Sequence, residues 1–119
     1  MSGALVVPLF YKSTPTDLLD TLGQINGVLF PGGSQIIDIN NTLTKNADLI
    51  LKYSIEQAKK GIRFPIWGTC GGHGLLAYLT SNYSPNTRQP IDNALGIMNK
   101  LYWKNASAEM VQNIPKSVL

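Results

Sequence analysis

Short apolar runs alternate with amphipathic stretches along this 119-residue chain, and polar or glycine-rich segments separate them. The runs Ala4–Phe10, Val28–Phe30 and Phe64–Gly68 are rich in β-branched and aromatic residues, which predicts buried strands. Between the strands, apolar residues recur at helical spacing after Thr14-Pro15 and over about Thr42–Lys60. Strands that alternate with helices predict an α/β fold with a mostly parallel sheet.

Capping residues predict where the helices begin and end. Thr14 and Pro15 suit the start of the first helix, and Asn26-Gly27 is expected to end it. Gly61 is expected to cap the second helix. The predicted buried face of that helix consists of Leu43, Ala47, Ile50, Leu51, Ser54, Ile55 and Ala58. Further elements are predicted as a helix over Gly72–Thr80, a surface loop over Ser81–Asp92, a half-exposed strand over Ile97–Trp103 and a short helix over Ser107–Asn113.

The composition excludes several classes of protein. With 44% hydrophobic and 14% charged residues, the chain is typical of a globular domain, and one domain over residues 1–119 is predicted. The net charge of +3 comes from scattered basic residues, so no nucleic-acid surface is expected. The tightest basic cluster, Lys59-Lys60 with Arg63, is interpreted as a solvated helix end. No apolar run suits a membrane span, and the first residues do not form a signal peptide.

Two glycine-rich turns follow predicted strands, Pro31-Gly32-Gly33-Ser34 and Gly68-Thr69-Cys70-Gly71-Gly72. In a parallel sheet both turns open on the same edge, where ligands commonly bind. Gly-x-Cys-x-Gly between a strand and a helix is typical of a nucleophile elbow, in which a sharp turn presents the nucleophile above the sheet. The N-terminus of the following helix would favour a Cys70 thiolate. The Gly71 N–H group could then stabilise an oxyanion, together with Gly33 or, as a close second, Gly32.

Structural explanations compete with this catalytic one. A lone cysteine among glycines is often a small buried residue, and Gly-Gly pairs are often ordinary turns. His73, the only histidine, could line a substrate pocket, face solvent or, less readily, act as the base for Cys70. Nothing in the chain has the spacing of a metal site, and no metal or other cofactor is predicted.

The same turns resemble those of γ-glutamyl hydrolases. The segments that carry the resemblance are Ile25-Asn26-Gly27-Val28-Leu29-Phe30-Pro31-Gly32-Gly33-Ser34, Phe64-Pro65-Ile66-Trp67-Gly68-Thr69-Cys70 and Met110-Val111-Gln112-Asn113-Ile114-Pro115. The resemblance implies a flavodoxin-like three-layer sandwich of the class I glutamine-amidotransferase type, of which the chain would be a partial domain. It also implies an omega peptidase that hydrolyses poly-γ-glutamyl folates through a Cys70 thioester. The family acts in lysosomes, in vacuoles or outside the cell, and often as homodimers, so a homodimer or larger assembly is expected.

The chain also departs from the family pattern. The family's catalytic histidine lies in a downstream Trp-His-Pro-Glu type segment, and this chain contains no such segment. Where the family often has a bulky residue, Gly, an aromatic residue and an acid, this chain has Gly71, Gly72, His73 and Gly74. Two alternatives therefore remain: a catalytically inactive homologue that serves as a binding or structural subunit, and a redox or chaperone member of the wider glutamine-amidotransferase-like group.

Three Asn-x-Ser/Thr sequons begin at Asn40, Asn82 and Asn105. Such sequons accept N-linked glycans only in proteins that enter the secretory pathway. They also arise by chance in a chain that is rich in asparagine, as this one is.

Overall fold

Helices and strands alternate in the computed structural model, which describes residues 3–34 and 37–87. The elements in chain order are α1 (Pro15–Leu22), β1 (Val28–Phe30), α2 (Thr42–Lys59), β2 (Ile66–Gly68), α3 (Gly71–Thr80) and a 3₁₀ turn (Pro85–Thr87). These elements form a small α/β unit. The predicted strand at Ile97–Trp103 and the predicted helix at Ser107–Asn113 lie outside the described residues, as does the end of the loop predicted over Ser81–Asp92.

The sheet of the described residues consists of β1 and β2, which pair in parallel with α2 as the connection between them. The register sets Val28 opposite Ile66, Leu29 opposite Trp67 and Phe30 opposite Gly68. The prediction of parallel strands is therefore confirmed for this pair. The three-layer sandwich stays a prediction, because it needs helices on both faces of a larger sheet.

One hydrophobic core joins the three helices to β1 and to the segment before β2. It consists of Leu18, Leu22, Phe30, Ala47, Ile50, Phe64, Leu75 and Leu79. Burying a side chain of this kind stabilises a fold by about 1.5–3 kcal/mol, so this cluster is the main source of cohesion. Because successive side chains of a strand point to opposite faces, burial of Phe30 leaves its neighbour Leu29 on the other face. Leu29 and its partner Trp67 are 63% and 53% exposed.

The predicted strand at Ala4–Phe10 is wrong. None of these residues joins the sheet, and Leu5 and Val6 are 98% and 87% exposed. A strand needs a neighbour that satisfies its backbone groups, and the described residues provide none for this segment. The chain is instead held just beyond it, where the Asn46 side chain on α2 donates hydrogen bonds to the carbonyl oxygens of Tyr11 and Ser13, both at 3.0 Å.

The start of α1 matches the prediction, but its end does not. Thr14 caps the helix by accepting a hydrogen bond from the Asp17 N–H group, and Pro15 occupies the first turn. The helix ends at Leu22 rather than near Asn26-Gly27, because Gly23 closes the last turn with its N–H donated to the Leu19 carbonyl. Ile25 still packs against the core from outside the helix.

The boundaries of α2 match the prediction to within one residue. The C-cap is Lys60, and Gly61, which was expected to cap the helix, is the next residue, with a positive φ of 75°. The predicted buried face is only partly correct. Ala47 and Ile50 are buried, but Ile55 and Ala58 are exposed because the last turns of α2 extend beyond the core. Two polar residues that the pattern did not select, Thr44 and Asn46, are buried instead.

A pair of left-handed residues ties the C-terminus of α3 to α2. Asn82 and Tyr83 have φ values of 57° and 60°, and the Tyr83 N–H group donates to the Tyr78 carbonyl, as in a Schellman C-cap. The Tyr83 hydroxyl donates a 3.0 Å hydrogen bond to Asp48, which also forms an ion pair with Lys52. The hydrogen bond to Asp48 raises the pKa of Tyr83.

The link from Tyr83 to Asp48 predicts a stability that depends on pH. A raised pKa in the folded state means that the hydroxyl stabilises the fold below the ordinary tyrosine pKa of about 10, and that this contribution is lost as the pH rises through the folded value. We expect Tyr83→Phe to lower the free energy of unfolding at neutral pH, with a smaller difference in strongly alkaline solution. Urea unfolding at several pH values measures the difference in unfolding free energy between this variant and the unmodified chain. Tyr53→Phe is the control, because the Tyr53 hydroxyl bonds no described residue, and an equal loss in both variants would contradict the prediction.

The exposed apolar residues predict self-association of the purified chain. Leu5, Val6, Phe10, Leu29 and Trp67 are each more than half exposed, and such surface favours association. We expect sedimentation to give a mass above the 13.0 kDa of one chain, and expect Leu29→Gln with Trp67→Gln to lower that mass. A monomer at every concentration tested would refute the prediction.

Candidate functional site

Both glycine-rich turns lie at the same edge of the sheet. Phe30 and Gly68 are register partners at the carboxyl ends of two parallel strands, so Pro31–Ser34 and Thr69–Gly72 leave the sheet side by side. A direct hydrogen bond joins the two turns, since the Thr69 N–H group donates to the Phe30 carbonyl at 3.0 Å. The predicted juxtaposition of the two turns is therefore confirmed.

Cys70 occupies the corner between β2 and α3. It is the N-cap of α3, with φ 51° and ψ −111°, and it is exposed. A residue with a Cβ atom rarely adopts this backbone conformation, which costs about 1–3 kcal/mol and persists only where the surroundings enforce it. The structural alternative of a small buried cysteine is wrong, because this thiol is open to solvent.

Short hydrogen bonds on either side of Cys70 enforce the corner. The Gly72 N–H group donates to the Thr69 carbonyl at 2.8 Å, and the Gly74 N–H group donates to the Cys70 carbonyl at 3.1 Å. The side chain of Thr69 accepts a further bond from the Trp67 indole N–H at 3.2 Å. The role of Thr69 was not predicted from the sequence: two of its bonds are to near neighbours, Trp67 and Gly72, and the third joins it to Phe30 on the other strand.

Glycine is required where α3 meets the strands. A Cβ atom on Gly72 would overlap the Phe30 carbonyl oxygen and lie 2.7 Å from the Phe30 Cβ atom. A Cβ atom on Gly68 would lie 2.6 Å from the Gly72 carbonyl oxygen. These distances are shorter than real side chains tolerate, so the first turn of α3 rests directly on the backbone of both strands. The alternative that the glycines merely form an ordinary turn does not account for such close contact.

The first glycine turn comes close to Cys70 at Gly32. A Cβ atom built on Gly32 would lie 3.3 Å from the Cys70 Cβ atom and 3.9 Å from its sulfur. The absence of a side chain at Gly32 therefore keeps the space beside the sulfur open. Gly33, the next residue, is exposed and has a φ of 151°.

Several N–H groups around Cys70 make no hydrogen bond to any described residue. On α3 they are those of Gly71 and His73, the first and third residues of the helix, and on the opposite turn those of Gly32 and Gly33. Open N–H groups at a helix N-terminus attract negative charge. The arrangement can therefore bind an anion, or an oxygen that becomes anionic during a reaction, beside an exposed thiol.

His73 lies in the first turn of α3, and its side chain is exposed. Among the hydrogen bonds of residues 3–34 and 37–87, none joins its ring to Cys70. The described residues contain no group of side chains suited to a metal ion. Within the same ranges, no helix has the length and apolarity that crossing a bilayer requires.

Comparison with known proteins found similarity to γ-glutamyl hydrolases of several organisms. The chain is 33% identical to a γ-glutamyl hydrolase of Bos taurus over 120 aligned residues, which cover 99% of the chain and 36% of that protein. It is 40% identical to a γ-glutamyl hydrolase of Homo sapiens over 81 residues, covering 67% of the chain and 25% of that protein. γ-Glutamyl hydrolase B of Dictyostelium discoideum is 39% identical over 71 residues, covering 60% of the chain and 20% of that protein.

The chain thus spans about a third or less of the length of these relatives. No protein-family model matches it.

The contact between Gly72 and Phe30 predicts a large effect of a small substitution. We expect Gly72→Ala to lower the free energy of unfolding by about 3 kcal/mol or more, the upper end of over-packing costs, because backbone atoms must move. Gly23→Ala is the matched control: its Cβ atom would lie at ordinary distances of 3.5 Å or more, in a helical conformation that suits alanine. Urea unfolding measures both variants, and equal stability of the two would show that the close contact does not exist.

Proposed function

Because this chain belongs to the γ-glutamyl hydrolase family, we propose that Cys70 is the nucleophile with which such a hydrolase cleaves the γ-glutamyl bonds of poly-γ-glutamyl folates. The single observation that carries the proposal is the position of Gly32 beside Cys70: a side chain on Gly32 would touch Cys70, so its absence leaves space next to an exposed cysteine. By the same family relationship, we propose that the activity belongs to the lysosome, the vacuole or the cell exterior.

The first chemical step forms a thioester. The Cys70 sulfur, as a thiolate, attacks the γ-carbonyl carbon, and a new S–C bond converts the carbonyl oxygen to an oxyanion. When the oxyanion collapses, the C–N bond to the next glutamate breaks, and the leaving amine takes up the proton that the Cys70 thiol released when it became a thiolate. Water then attacks the thioester carbon, which releases the γ-carboxylate and restores the thiol.

The oxyanion needs hydrogen-bond donors that are in place before it forms. The Gly71 N–H group is one candidate, because it follows the nucleophile directly and bonds no described residue. The second donor comes from the opposite turn, through the N–H group of Gly33 or of Gly32. The position of Gly32 beside Cys70 favours Gly32, whereas Gly33 remains the choice made from the sequence.

The described residues do not supply a general base for the Cys70 thiol. Among the described residues, the Cys70 sulfur has no hydrogen-bond partner, and His73 is the only histidine in the chain. We therefore assign His73 to the wall of the substrate site, where its exposed ring replaces the aromatic residue often found in the family. The same observation favours a second candidate function, that of an inactive homologue with a binding or structural role.

Labelling with a γ-glutamyl electrophile tests whether the site around Cys70 recognises a γ-glutamyl group. We expect 6-diazo-5-oxo-L-norleucine, which carries a reactive carbon near the γ-carbonyl position, to alkylate Cys70 faster than an uncharged electrophile such as iodoacetamide does. We also expect the 119-residue chain by itself to show no turnover of a γ-glutamyl peptide, because no described residue acts as a base for the thiol and the family's downstream histidine segment is absent from the sequence. Mass spectrometry locates the adduct, and chromatography of released glutamate follows turnover.

Two variants serve as controls for this experiment. Cys70→Ala should abolish labelling by both reagents. Gly32→Ala places a methyl group beside the sulfur and should slow labelling by the larger γ-glutamyl reagent more than labelling by iodoacetamide. Equal rates for the two reagents in the unmodified chain would contradict recognition of the γ-glutamyl group. Turnover that Cys70→Ala abolishes would contradict the expected need for a further base.

A further inference from the structure

We propose that Asn82 is an acceptor site for N-linked glycosylation. The sequon Asn82-Tyr83-Ser84 begins immediately after the C-cap of α3, and Asn82 is exposed. Its side-chain amide makes no hydrogen bond to a described residue, so a sugar on that nitrogen disrupts no interaction of the fold. Asn46 shows the contrast, because its buried amide donates two hydrogen bonds that anchor the chain near Tyr11.

The backbone at Asn82 suits asparagine in particular. Its φ of 57° lies in the left-handed region, which asparagine and glycine adopt more readily than other residues do. The next residue is held at two points, by its N–H bond to the Tyr78 carbonyl and by its hydroxyl bond to Asp48. Asn82 is therefore the exposed corner of a rigid helix cap, where a bulky group can project without moving the fold.

The length of α3 separates this corner from the candidate active site. Cys70 is the N-cap of α3 and Asn82 follows its C-cap, so the ten-residue helix lies between them. At a rise of 1.5 Å per residue, that helix is about 15 Å long. A glycan on Asn82 is thus attached at the far end of the element that presents the nucleophile, and the thiol remains accessible.

The sequon at Asn40 is less suited to carry a glycan. Asn40 lines a depression of about 320 Å³ together with Asp38, Tyr78 and Pro85, so an attached sugar would meet these walls. Its neighbour Asn41 is also the N-cap of α2, accepting a hydrogen bond from the Leu43 N–H group at 2.9 Å. These two features favour Asn82 over Asn40.

The proposed transfer needs a lipid pyrophosphate-linked oligosaccharide and an oligosaccharyltransferase. The Asn82 amide nitrogen forms a bond to the anomeric carbon of the first sugar, and the bond from that carbon to the pyrophosphate oxygen breaks. The lipid pyrophosphate leaves with the electron pair, and the amide proton passes to a base. The nascent chain presents the sequon before it folds, and the helix cap then forms around the modified residue.

The test is secretion of the full chain from a eukaryotic cell behind a signal peptide. The chain carries Asn40→Gln and Asn105→Gln, so that Asn82 is its only native sequon, and a C-terminal Asn-Gly-Thr tag reports exposure to the transferase. We expect two glycans by intact mass, both removed by a peptide N-glycosidase. Asn82→Gly and Ser84→Ala should each leave only the tag glycan, and Asn82→Gly keeps the left-handed cap because glycine adopts the same conformation.

A glycan on the tag with none on Asn82 would overturn the proposal. A second measurement tests the separation from the active site: Cys70 should react with iodoacetamide at the same rate before and after enzymatic removal of the glycan. Slower alkylation of the glycosylated chain would refute that part of the argument. Neither measurement depends on hydrolase activity. The glycosylation proposal can therefore fail while the proposed function holds, and the proposed function can fail while the glycosylation proposal holds.

Discussion

The site depends on the direct contact of α3 with the backbone of the two strands. Gly72 lies so close to Phe30, and Gly68 so close to Gly72, that neither position has room for a Cβ atom. The chain must therefore turn within two residues, and Cys70 at the corner adopts a left-handed conformation. Three features follow from this one steric constraint: the strained backbone, the exposed cysteine, and the N–H groups of Gly71 and His73 that bond no described residue.

The rest of the described unit holds α3 in that position. Leu75 and Leu79 anchor the helix in the core, which α1 and α2 complete. At the far end, the Schellman cap and the hydrogen bond from Tyr83 to Asp48 fasten α3 to α2. A strain of about 1–3 kcal/mol at Cys70 is small beside the burial of eight core side chains. The corner is stable because the cohesion of the unit is distributed over all three helices.

The relationship to γ-glutamyl hydrolases gives a reason to compare the two turns with the parts of a hydrolase site. A nucleophile and its oxyanion donors can come from two adjacent turns, since both are set by local backbone geometry. A general base must approach the sulfur from another part of the fold. The aligned regions cover about a third or less of the relatives' length. The alignment with the Bos taurus protein covers 99% of this chain, so it includes both turns. The exposed Leu29 and Trp67 lie on the face of the sheet that the core leaves open.

The sequence by itself determined the features that depend on neighbours along the chain. These include the Thr14 cap of α1, the strand at Val28–Phe30, the bounds of α2 and the corner at Cys70. Tertiary structure decided the features that depend on distant neighbours. Residues 4–10 have the composition of a buried strand, yet without a pairing partner they lie exposed. The turns of α2 at Ile55 and Ala58 have the right periodicity but extend beyond the core. Periodicity shows which residues can be buried together, whereas burial itself requires another surface at that place.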